Sequence, residues 1–66
     1  MAIEVVVRLD NDLVMVFDAV GEQVTEYQGQ YQDVMSGILG DASSRTIFTR
    51  WFGYSTEPQI VHRENW

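Results

Sequence analysis

The only histidine, His62, stands between Val61 and Arg63, with Glu57 and Glu64 close by in the chain. An imidazole beside a carboxylate is the smallest unit that can move protons, because the carboxylate tunes and orients the ring. On a strand, residues 62 and 64 point to the same side. General acid/base chemistry at His62 is thus one reading. Against it, no Ser or Thr occupies a recognisable nucleophile setting, and a lone histidine on a short strand is ordinary structure. The expectation is a chain with no catalytic residues, an enzyme centred on His62 ranking third among the functions considered.

Arg50-Trp51-Phe52-Gly53-Tyr54 packs three aromatics and an arginine into five residues. Such a cluster can stack unpaired bases, but stacking platforms of that kind sit in positive grooves. This chain has four basic residues, all Arg, against ten carboxylates, for a net charge of −6. Neutralising a phosphate backbone needs more positive charge than that, so nucleic acid is not an expected partner. The aromatics read instead as core or interface. The absence of Lys also removes any Schiff-base nucleophile.

Asp10-Asn11-Asp12 resembles the start of a calcium loop, which would then need an oxygen ligand at 14, Gly at 15 and Glu at 21. The chain has Val14, Met15 and Gly21 there, so the segment reads as a turn. Ser36-Gly37-Ile38-Leu39-Gly40 lacks the Lys of a phosphate loop and reads as a helix end. Without cysteine there is neither a disulfide nor a thiolate zinc site. No metal and no cofactor is expected.

The most specific polar feature is acidic. Glu22, Glu26, Gln30 and Asp33 fall on one side of a helical repeat, with no basic residue between Val20 and Gly40. Like charges four residues apart weaken a helix slightly, and Asp33 near a helix C-terminus gains nothing from the macrodipole. The stripe reads as a docking face for a basic protein, even as a mimic of a nucleic-acid backbone. The plainer reading is solubility.

These side chains have to be positioned by a few short elements. Residues 2–9 and 13–19 alternate as strands around the Asp10-Asn11-Asp12 turn. A three-residue loop, with Asn11 or Asp12 in the left-handed region, sets Leu9 opposite Leu13, Val7 opposite Met15 and Val5 opposite Phe17. Ile3, Val5, Val7, Leu9, Leu13, Met15 and Phe17 then share one face, expected to lie under the helix. Apolar residues at three- and four-residue steps from Val20 to Leu39 predict one long amphipathic helix, capped by Gly40 and weakened by Gly29. The competing reading makes 20–23 a hairpin turn, 23–27 a third strand and only about 30–39 helix; it would set Glu26 beside Phe17. Residues 46–52 and 59–65 complete the strands, with Pro58 just before the last. The fold expected is α+β, ordered β-β-α-β-β, a mostly antiparallel four-stranded sheet with one helix on one face, all in a single domain spanning 1–66.

One helix can cover only one face of such a sheet. The opposite set, Val6, Val14 and Val16 with Phe48, Arg50 and Phe52, is expected to form a dimer or ligand face. In a chain this short, self-association also makes up for a small core. Together these features predict a small acidic non-enzymatic interaction module, an accessory or inhibitory factor that is homodimeric and faces a protein partner with a basic surface. The alternative is a subunit that binds a small molecule on the apolar sheet face. No apolar run reaches the roughly 20 residues that span a bilayer, and no basic segment precedes an apolar one, so a cytoplasmic protein is expected.

Overall fold

The computed structural model describes residues 3–66. Strands β1 (Val5–Leu9) and β2 (Leu13–Phe17) form the hairpin, with Val7 paired to Met15 and Val5 to Phe17. The turn is the one the spacing predicts. Asp12 takes φ 68°, its N–H bonds Leu9 O at 2.9 Å, and Asn11 Oδ1 accepts from Leu13 N at 3.1 Å. Asp and Asn tolerate and locally stabilise such a conformation.

Past Phe17 the long helix does not form. Asp18 Oδ1 accepts from the N–H groups of Val20 and Glu22, and Gly21 takes φ 87°. The turn sends the chain back along β2, where Val24 N–H bonds Val16 O at 2.7 Å and Gln23 bridges Phe17. A 3-10 turn over Thr25–Tyr27 follows, then a two-residue strand, β3 (Gly29–Gln30), beside β2. The helix, α1, runs only over Tyr31–Asp41. The three- and four-residue apolar spacing of Val20, Val24 and Tyr27 is real, but an Asx turn and a glycine at positive φ offer that backbone a better set of hydrogen bonds. Gly40 lies inside α1. The helix is closed two residues later by Ala42 N–H on Ile38 O, with Ala42 extended.

The sheet has five strands in the order β3-β2-β1-β4-β5, with β4 (Ile47–Trp51) parallel to β1 and β5 (Gln59–Val61) antiparallel to β4. It is therefore a mixed sheet, not the four-stranded, mostly antiparallel one expected, although the α+β class stands. Helix length explains the parallel pair. Eleven residues at about 1.5 Å each carry the chain back by roughly the length of a five-residue strand. The chain therefore re-enters the sheet at the end where β1 begins, and β4 runs alongside β1.

The core lies between the sheet and α1. Ile3, Val6, Val14, Val16, Val24, Ile38, Phe48 and Trp66 form one buried cluster. A second 3-10 turn, Arg63–Asn65, delivers Trp66, whose ring stands edge-on to Tyr31 and Phe48 at 5.1 and 5.0 Å. Thr46 and Thr49 tie β4 to β1 by donating to Ile3 O and Val6 O at 2.7 and 2.8 Å.

A candidate docking face on the sheet

Alternation along the strands sorts their side chains as the sequence implies, but the helix covers the other set. Val6, Val14 and Val16 are fully buried beneath α1 and Phe48 is 3% exposed. These four, expected on a dimer or ligand face, are the interior. Arg50 is half-buried over the Phe52 ring at 5.1 Å, and Phe52 lies just past β4, stacked on Tyr54 at 5.5 Å. Short β-branched valines make a low, even layer on which α1 can lie, with the larger Phe48 and Trp66 filling its margin. The charges of this set sit where they need not be buried. Arg8, near the end of β1, lays its guanidinium over the Tyr31 ring at 3.6 Å and forms an ion pair with Asp12 at 2.9 Å.

The face left uncovered belongs to the set expected in the core. From the pairing registers, one row across it reads Gln23, Phe17, Val5 and Ile47. The next reads Met15, Val7, Thr49 and Ile60; the third reads Gln30, Leu13, Leu9 and Trp51. Ile3, upstream of β1, is not held to this alternation and joins the core. Val7 and Thr49, side by side at the centre of the face, are each only 6% exposed, yet Val7 stands outside the core cluster. Ile47, Trp51 and Ile60 are 41%, 36% and 78% exposed. Gln23 and Gln30 are exposed at the rim, and the other members of the first and third rows, and Met15, are half-buried.

No charged side chain occurs in these three rows, in a chain with fourteen Asp, Glu and Arg residues. An antiparallel pair open to water normally alternates apolar with polar residues. Here the water-facing set is the apolar one and the charges lie on the helix side, which is why pattern alone assigned the faces the wrong way round. The polar atoms of Thr49 and Trp51, inside the face, are already satisfied. Thr49 donates to Val6 O, and Trp51 Nε1 donates to Ser55 O at 3.2 Å. At one end of the face, Leu9, Asp10, Asn11, Trp51, Phe52 and Gly53 line an open groove of about 470 Å³. A side-chain carbon on Gly53 would stand 2.7 Å from Asp10 Oδ2, so this loop approaches the hairpin turn closely, with only the exposed Asp10 carboxylate having to turn aside for a larger residue.

The acidic stripe is not a helix face. Glu22 sits in the turn after β2, Glu26 in the 3-10 turn and Gln30 in β3, beside Leu13. Only Asp33 is helical, and it lies in the first turn, where the macrodipole favours a carboxylate. All four remain exposed. His62 is likewise exposed, its Nδ1 3.6 Å from Glu64 Oε1. Among the described residues it has no hydroxyl partner, and no cluster of three possible metal ligands occurs. No helix is long and apolar enough to cross a membrane. No family model matches the chain, and no curated protein and no solved structure matches it.

Proposed function

We propose that the chain is a small non-enzymatic interaction module that docks through the uncovered face of its sheet. The observation that supports this is the charge-free face itself, with Ile47, Trp51 and Ile60 standing out of it. Depletion of charge with retention of large apolar groups is the composition of an interface centre, and monomers seldom leave such a patch to water. The net charge of −6 adds a bias toward basic surfaces around that contact, and exposed Glu22, Glu26 and Asp33 contribute to it from separate elements. A photo-crosslinking residue at position 60, compared with one at Gln32 on the helix side, tests the reading in cells expressing the chain. Efficient crosslinking from 60 alone is expected. Equal or absent crosslinking from the two positions would remove the proposal.

The groove beside Trp51 favours one second reading, a small apolar or aromatic ligand bound at the end of the face. Trp66 is buried and Trp51 is not, so a change in emission confined to the exposed indole would report it. A Trp51 signal indifferent to a broad ligand panel argues against this reading.

A further inference from the structure

Building on that reading of the face, we infer that its occupant is a second copy of this chain, the two sheets packed face to face about a twofold axis. The centre of the face makes no polar demand, because the Thr49 hydroxyl and the Trp51 indole N–H are satisfied within the chain, and the amides of Gln23 and Gln30 lie exposed at its rim. A partner with charge at its centre would lose hydration there and find nothing to pair with. An apolar, charge-free surface of the same extent is what fits, and the face supplies that surface to itself, as an isologous contact requires. Sheets packed in this way lie about 10 Å apart with their strands aligned within roughly 30°.

The size of the patch agrees. With Ile60 78% exposed, Ile47 and Trp51 about half that, and partial exposure around them, the face offers on the order of 500 Å² per copy and on the order of 1,000 Å² per pair, the level at which specific interfaces begin. The charges give this dimer a distinctive signature. Each copy carries −6, none of it in the three rows, so repulsion between copies acts at a distance and is screened by salt. Self-association therefore tightens as ionic strength rises, whereas docking to a basic protein weakens.

Sedimentation equilibrium of the full chain, from about 1 μM to about 1 mM at low and high salt, tests the inference. The expected mass rises from 7.6 kDa to twice that value, and at lower concentration in high salt. Ile60→Glu should raise the dimer dissociation constant by at least about tenfold with an unchanged circular dichroism spectrum. Val20→Glu is the control, because Val20 is 81% exposed in the turn after β2 and lies off the face. A monomer at every concentration, or a dimer that ignores Ile60→Glu, overturns the inference. In either case crosslinking from position 60 to a different protein would leave the docking reading standing, and its absence would remove both.

Discussion

The indole of Trp66 meets the ring of Phe48 edge-on, 5.0 Å between centroids and 63° between planes. Residue 66 thereby joins the strand that pairs parallel to β1, and Trp66 also stands edge-on to Tyr31 at the start of α1. One side chain closes the margin between helix and sheet. Its Nε1 is buried without a hydrogen-bond partner, so the contribution is one of shape and apolar area. Truncation, Trp66→Ala, should cost about 3–5 kcal/mol of unfolding free energy. Trp66→Phe removes the unpaired N–H and keeps part of the packing, and should cost clearly less. Urea denaturation of the two variants reads the difference; equal losses would mean the ring's packing is not what matters.

Arg8 is held by an aromatic ring as well as by hydrogen bonds and charge. Its Cζ stands 3.6 Å from the centre of the Tyr31 ring, its Nε donates to Asp12 Oδ1 at 3.0 Å, and it also donates to the Trp66 carbonyl oxygen. A lysine keeps the charge but cannot stack and bridge in the same way, so Arg8→Lys should lose about 1 kcal/mol. Stability equal to wild type in denaturant would refute that account.

Gly21 and Gly40 should respond to alanine with opposite signs. Neither would meet another atom within 4 Å, so only backbone conformation decides. At φ 87°, Gly21→Ala forces an L-residue into the left-handed region and should destabilise by about 1–2 kcal/mol. Gly40 is inside α1 and exposed, so Gly40→Ala should stabilise by about 0.5–1 kcal/mol. A loss at Gly40 would instead indicate a C-terminal cap. Thermal unfolding of the two variants side by side settles the helix boundary.

The Tyr27 hydroxyl donates to Asp41 Oδ2 across the helix end. That bond, then partial desolvation, then the charges of Asp41 and Glu26 raise the Tyr27 pKa above its ordinary 10.0. A raised pKa means the folded state holds the proton more tightly than the unfolded chain. The associated stability is fully present below pH 10.0 and fades as pH rises through the higher folded value. Tyr27→Phe should lack that alkaline decline. Parallel pH titrations of unfolding free energy for wild type and Tyr27→Phe would show it, and superimposable slopes above pH 10.0 would contradict the assignment.

The hairpin was legible from the chain because its information is local. Asp10-Asn11-Asp12 fixes a three-residue loop, and a period of two then sets every pairing from Val5–Phe17 inward. The same alternation correctly separated Phe48 and Arg50 from Ile47 and Trp51. The stretch from Val20 to Gly29 was ambiguous for an equally local reason. Its apolar spacing suits a helix, while Asp18 and Gly21 form a turn that returns the backbone to β2. Both patterns are present, and hydrogen bonding to β2 decided between them.

Which face would be covered was never in the alternation. A strand with apolar residues on both sides defines two sets without saying which lies under a helix. That choice follows from where α1 begins beside β3 and where its eleven residues return the chain, and the same path makes β4 parallel to β1. The sequence by itself determined the two sets, the turn between the first strands and the lack of charge in one set. Tertiary structure alone decided that the charge-free set faces outward, because the cover is laid by a helix, a turn and a tryptophan that lie far from β1 in the chain.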